Sequence, residues 1–174
     1  PKVAILSNIE EDHLDCYKDI DQIIEAFRAF VDLVPADGLI LANGRDANVA
    51  AAVREARAKV QSVSLMPGST WSTYPTGIKD GCPTGAVMRD GKPIATLQLR
   101  VPGEHNLFNA TMALAACVAA GVKAESAAAA LGEFAGVDRR MTPMGELSGA
   151  KIVDDYGHHP TEIRATLAAL RERY

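Results

Sequence analysis

From Val3 to Leu65 the chain alternates short apolar runs with stretches of helical periodicity, and that alternation limits the fold more than any other feature. Val3-Ala4-Ile5-Leu6 and Leu39-Ile40-Leu41-Ala42 have no polar member, the mark of strands buried on both faces. Between them Ile20, Ile23, Ile24, Phe27, Phe30, Val31 and Val34 recur at helical spacing behind Asp19, a suitable cap. Pro35 and the Asp37-Gly38 turn close that helix. Ala47 to Lys59 reads as a second helix and Val60 to Leu65 as a third strand. Strand, helix, strand, helix, strand predicts an α/β fold with a mostly parallel sheet and covering helices.

The texture then changes. Residues 66–85 are rich in Gly, Pro, Ser and Thr, and Asp90-Gly91 separates the strand-like runs Gly85–Arg89 and Pro93–Leu99, which predicts an antiparallel hairpin extension of the sheet. Trp71 and Tyr74 are expected to serve packing there. Pro102-Gly103 leads into an alanine-rich helix, Asn106 to Ala120, ended by Gly121, and Ser126 to Phe134 is a shorter one. Gly149 to Val153 reads as a new buried strand and Pro160 to Tyr174 as a new helix with proline in its first turn. The boundary is expected near residues 138–145, giving a first domain over 1–140 and the opening β-α unit of a Rossmann-like second domain over 141–174. Thr142-Pro143-Met144-Gly145 supplies turn residues at that joint. The chain opens inside a strand-like run and stops inside a helix-like one, so truncation at both ends is expected.

Composition narrows the function classes. With 48% hydrophobic and 23% charged residues and a net charge of −4, nothing favours nucleic acid or an anionic membrane as partner. No apolar run approaches the ~20 residues of a membrane span, and no signal peptide is expected. Cys16, Cys82 and Cys117 are far apart and form no C-x-x-C pair, which favours a reducing cytoplasm over disulfides or zinc.

Three polar clusters sit at element ends, where sites in α/β sheets gather. Asn8 to Asp15 follows the first strand and could hold a divalent metal with its phosphates, or be a solvated acidic loop; His13 is not a first choice for Mg²⁺, which prefers oxygen. His105, Asn106 and Asn109 open a helix, where amide groups can read a base edge and Asn106 could simply cap. Asp154-Asp155-Tyr156-Gly157-His158-His159 lies between strand and helix and could meet ribose, metal or a substrate anion. Arg139 and Arg140 upstream offer fixed positive charge for phosphate. Each cluster alone could be no more than solvated surface charge or a helix cap.

Together they carry a resemblance. Ser7 to Tyr17 resembles the TNIExDHLDxY segment of the Mur ligases, Gly103 to Asn109 their GxHNxxN segment and Val137 to Met141 their GVxRRF segment. Asp154 to Ile163 is similar nearly letter for letter to DDYAHHPTEI. All four occur in family order across nearly the whole chain. Leu14, Asp15, Tyr17, Tyr156 and Glu162 match the alanine-adding branch better than the murein-tripeptide recycling branch, which reads EFDHADIF and DDFAHHPTAI.

The resemblance implies an ATP-dependent amide ligase of peptidoglycan precursor synthesis, joining L-alanine to UDP-N-acetylmuramate through an acyl phosphate in the cytoplasm. It implies Mg²⁺ near His13, adenine at His105 and Asn109, ATP phosphate at Arg140 and ribose at Asp155. Tyr156 and His158 would face the muramate substrate, and Asn8 would orient the metal loop or the substrate. His13 and Arg140 are thus the expected catalytic pair. Departures are Gly157 for alanine and Met141 for an aromatic residue. No G-x-x-x-x-G-K-[ST] loop lies within residues 1–174; in the family it would precede Pro1. A recycling ligase, a non-catalytic nucleotide-binding module and a purely structural domain are the alternatives.

Overall fold

The computed structural model describes residues 1–174. One sheet has the order β1 (Val3–Leu6), β2 (Leu39–Asn43), β3 (Lys59–Ser64), β4 (Trp71–Lys79), β5 (Cys82–Arg89), β6 (Lys92–Gln98). Its first four strands run parallel, and β5 is antiparallel to both β4 and β6. The expected parallel sheet and hairpin extension are both there.

The unbroken apolar character of β2 follows from its position. Ile40 and Ala42 pack on one face with residues of α1 (Ile20–Asp32) and α2 (Ala47–Val53). Leu41 points the other way, into a core shared with α3 (Glu104–Ala119) and α4 (Ala124–Glu133). Leu107 and Leu114 of α3 are fully buried in that second core, each contributing about 2 kcal/mol by removal from water. Asp19 caps α1 as expected, accepting the Gln22 N–H at 3.0 Å, and Asp46 caps α2 through Val49 at 2.8 Å. The second helix ends at Val53 rather than Lys59. The Ala56 N–H turns back to the Val53 carbonyl, and Ala58 is buried immediately before Lys59 opens β3 opposite Leu39.

Trp71 is packing, as expected: it is 1% exposed, and its indole N–H donates to Gln61 Oε1 at 2.7 Å. Thr73 and Thr111 share a buried hydroxyl hydrogen bond of 2.7 Å that ties β4 to α3.

A second, two-stranded sheet pairs β7 (Thr142–Leu147) with β8 (Ala150–Asp154), and α5 (Pro160–Arg173) follows. Here two expectations change. The strand foreseen at Gly149–Val153 is present as β8, but it is largely exposed, because a two-stranded ribbon cannot cover its own faces. Thr142–Gly145, foreseen as a turn, is strand with a bulge between Pro143 and Gly145. The turn lies instead at Ser148-Gly149, both at positive φ (50° and 85°), the geometry of a tight hairpin. Helix α5 reaches the main body through Ala169, which is 1% exposed. Gly103 permits this approach: at φ 95°, an added Cβ would lie 2.6 Å from the His105 ring and 2.9 Å from the Ala169 Cβ.

Candidate functional site

A cleft of about 1280 Å³ is lined by the loops after β1 and β2, the start of α3, the segment before β7 and the start of α5. Asn8, His13, His105, Asn109, Arg140 and Asp155 all line it. Tyr156 and His158 do not.

The loop after β1 is fixed from below. Ile9 is buried, its N–H donates to Asp46 Oδ2 at 3.3 Å, and its carbonyl accepts from Asn48 Nδ2 at 2.8 Å. Asn43, at the end of β2, donates to the Ser7 carbonyl at 2.8 Å. This anchoring leaves Asn8 and His13 free to face outward. His13 adopts a left-handed backbone, φ 52°, uncommon for a residue with a Cβ. Its carbonyl accepts the N–H groups of Cys16 and Tyr17 at 2.8 and 3.0 Å, and Asp12 Oδ1 accepts the His13 N–H at 2.8 Å. That last bond, with the nearby imidazoles of His13, His158 and His159, holds the Asp12 carboxyl below its ordinary range.

No three His, Cys, Asp or Glu side chains converge as a cage for a metal ion. His13 and Asp12, 3.9 Å apart, offer one imidazole and one carboxylate, a donor set that would fit a divalent ion whose other ligands are phosphate and water.

At the start of α3, Gly103 is the N-cap, and no side chain caps the helix. Asn106, weighed as the cap, instead donates Nδ2–H to the Pro102 carbonyl at 2.8 Å and tightens the entering loop. It sits inside the first turn, three positions past the Gly103 N-cap, where its side-chain oxygen cannot serve as the cap. His105 is half-buried, and burial pushes its imidazole below the ordinary histidine value; Asp155 opposes this and Arg140 reinforces it. A neutral ring thus stands beside an exposed amide at Asn109, one turn further along the same face.

The third segment is bound to itself around Asp155. Its Oδ2 accepts the Met141 N–H at 3.0 Å and its Oδ1 the Gly157 N–H at 2.7 Å. The Tyr156 N–H donates to the Arg139 carbonyl at 2.7 Å. The Arg139 guanidinium lies 4.5 Å from the Tyr156 ring centroid, and that ring meets His158 edge-on at 5.7 Å. Arg139, Tyr156 and His158 therefore form an exposed stack outside the cleft. Arg140 is 3.5 Å from Glu162 Oε1, while Glu162 Oε2 accepts the N–H groups of His158 and His159. Burial alone would raise the Glu162 carboxyl, but those N–H groups and the charges of Arg140 and His158 hold it below its usual value.

Glu10 and His159, read only as members of the Asn8–Asp15 and Asp154–His159 clusters, also line the cleft, and sequence reasoning missed Thr161 and Glu162 there. His159 is the N-cap of α5, and with Glu162 it completes a capping box. The three-residue spacing from 159 to 162 before an apolar-periodic run was the available signal.

The family model described as the Mur ligase middle domain matches residues 1–117, and that described as Mur ligase, glutamate ligase domain matches residues 139–174. The UDP-N-acetylmuramate–L-alanine ligase of Caldanaerobacter subterraneus subsp. tengcongensis is 38% identical over 172 residues, 98% of this chain and 37% of that protein. The solved structure of UDP-N-acetylmuramate-alanine ligase from Thermotoga maritima has a TM-score of 0.80 at 25% identity, covering 100% of this chain and 39% of that one. A murein peptide ligase from Psychrobacter arcticus gives a TM-score of 0.74 at 29% identity over 99% of this chain and 35% of that one. The chain thus spans little more than a third of the length of the curated relatives it matches.

Proposed function

This chain belongs to the Mur ligase family, and on that premise we propose that it supplies the inner part of an ATP-dependent ligase joining L-alanine to UDP-N-acetylmuramate. The observation that carries the reading is the convergence of three distant segments on one cleft: Asn8 and His13, His105 and Asn109, and Arg140 and Asp155. A structural domain has no physical need to gather a histidine on a strained loop, a neutral imidazole beside an amide, and a guanidinium.

In this reading the adenine lies against His105 and Asn109, whose neutral ring and amide offer donors and acceptors. Asp155 retains lone pairs after its two backbone bonds and meets the ribose. Arg140 stabilises phosphate charge, and Asn8 orients the β1 loop against the sugar substrate. His13 would be one ligand to Mg²⁺ bound with the nucleotide, an ion that would neutralise phosphate charge. The substrate carboxylate takes the γ-phosphoryl group and releases ADP. The alanine amine then attacks the acyl carbon, inorganic phosphate leaves with its oxygen, and the amine loses a proton. Bringing the carboxylate to the γ-phosphorus and then the amine to the acyl carbon is mainly a task of positioning and electrostatics. Tyr156 and His158 face the muramate side from outside the ATP cleft. The division we propose places residues 1–140 in the ATP-binding domain and 141–174 in the next, consistent with a separate sheet that begins at Thr142.

The test uses the intact protein with ATP, Mg²⁺, UDP-N-acetylmuramate and either L-alanine or the tripeptide L-Ala-γ-D-Glu-diaminopimelate. Amide product from alanine with stoichiometric ADP is expected; preferential use of the tripeptide would replace this reading with the recycling ligase. Residues 1–174 alone are expected to give no product, since they contain no phosphate loop to hold the γ-phosphate in line.

A further inference from the structure

The start of α5 is fastened to the loop after β1 by two hydrogen bonds between residues about 150 positions apart, and His159 Nδ1 also lies 3.5 Å from Glu10 Oε2. Thr161 Oγ1 lies 2.5 Å from Glu10 Oε2, and His159 Nε2 lies 3.1 Å from the Glu11 carbonyl. The directions of these bonds are determined. Arg164 donates to Thr161 Oγ1 at 3.0 Å, so the single hydroxyl proton is left for Glu10. His159 Nδ1 accepts the Thr161 N–H at 3.3 Å, which leaves Nε2 as the donor to the Glu11 carbonyl. The other oxygen of Glu10 accepts from Asn8 Nδ2 at 3.0 Å, and Asn8 Oδ1 accepts from Ser7 Oγ at 3.1 Å. One continuous hydrogen-bond chain therefore runs from the end of β1, through Asn8, Glu10 and Thr161, to Arg164 in α5. The side chains of Glu10 and His159 are 30% and 20% exposed, much less than His13 or His158.

We infer that Glu10 is a positioning residue, the point at which the β1 loop fastens α5 over the cleft and so sets the Arg140–Asp155 segment opposite His13 and His105. Asn8 and the start of α5 are the two ends it joins, and both line the cleft. A carboxylate at the N-terminus of α5 also gains from the helix dipole, which a neutral residue would not. The contact of α5 with α3 at Gly103 and Ala169 is separate, so loss of Glu10 frees the beginning of the helix without releasing its far end. The geometry stands by itself; its effect on turnover rests on the ligase reading of the same cleft.

The experiment is a double-mutant cycle in the intact protein with Glu10→Ala, Thr161→Val and both, read as kcat at saturating substrates and by amide hydrogen exchange over residues 157–163. Each single change is expected to lower kcat about tenfold, the size of one hydrogen bond to a charged group, and to speed exchange over that segment. The double variant is expected to be no worse than either single, and Thr161→Ser, which keeps the hydroxyl, to stay within about twofold of the parent. Effects that multiply in the double variant, or unchanged exchange in Glu10→Ala, would overturn the inference. Should the intact protein form no amide from any amino acid, the ligase reading falls. The exchange data, which need no substrate, would still decide for or against the fastening.

Discussion

Asp155 accepts the main-chain N–H of Met141 at 3.0 Å across fourteen positions of sequence, while its other oxygen takes that of Gly157. Met141 stands at φ 50°, and Arg139 two positions earlier at φ 60°, so the carboxylate holds a strained stretch in place. Asparagine cannot replace it, because its amide nitrogen would oppose one of the two N–H donors. Asp155→Asn and Asp155→Ala are therefore both expected to loosen residues 139–157, at a cost of about 1–3 kcal/mol for the orphaned donors. Amide exchange at Met141 and Gly157 measures this directly. Protection retained in the asparagine variant would show that the clamp lies elsewhere.

His13 presents the opposite balance of stability and activity. Its ring is largely exposed, so His13→Ala removes little packing, and the left-handed backbone makes His13→Gly if anything easier to fold. In the intact protein both variants should keep their melting temperature within a few degrees. Both should lose at least about tenfold in kcat, the scale on which even groups supporting a metal ligand matter. The Mg²⁺ concentration for half-maximal rate should rise. Normal specific activity with a collapsed melting transition would make His13 a structural residue instead.

What the sequence disclosed follows physical lines. The parallel sheet was legible because strands buried on both faces must be continuously apolar, as Leu39–Ala42 are, and α1 because its cap and stripe are both written in order. The candidate cleft residues were legible as ordered motifs. β8 was read as a strand, but its partner β7 was not, because exposed strands carry no burial pattern, and Pro143 and Gly145 look like turn residues whether or not they pair. Nor could the Glu10–Thr161 bond be read, since it joins residues 151 apart that only the packing of α5 brings together. Asn106 shows a subtler limit: a good capping residue three positions past a buried glycine N-cap does not cap, and its side chain serves the preceding loop.

Arg140 lies between the cleft and Glu162, 3.5 Å from that carboxylate and about half exposed. An exposed ion pair of this kind is worth under about 1 kcal/mol, so Arg140→Ala should barely move the stability of the intact protein. A guanidinium meeting phosphate oxygens in a closed cleft is worth more, and the apparent affinity for ATP is expected to fall by on the order of tenfold or more. Arg140→Lys should recover only part of that, since an ammonium cannot make the two-pronged contact. Isothermal titration with a non-hydrolysable ATP analogue separates the cases. Equal affinity in all three proteins would remove Arg140 from the nucleotide site.

The half-buried His105 gives the cleft a dependence on pH that can be signed. Its folded pKa lies below the ordinary histidine value of 6.5, chiefly because burial disfavours the imidazolium, with Asp155 pulling upward and Arg140 downward. Above that ordinary value the ring is neutral in both folded and unfolded chains and contributes nothing to the balance. As the pH falls below it, the unfolded chain takes up the proton first and is favoured, so stability is lost until the folded ring also protonates. His105→Gln keeps an amide of similar reach and has no proton to gain. The melting temperature of the parent should therefore drop more than that of His105→Gln between pH 7.5 and pH 5.5, and the two should have similar pH dependence above pH 7. ATP affinity should weaken over the same acidic interval in the parent if the neutral ring receives the base. Parallel melting curves for the two proteins across the whole range would mean that the imidazole is not held neutral by the fold.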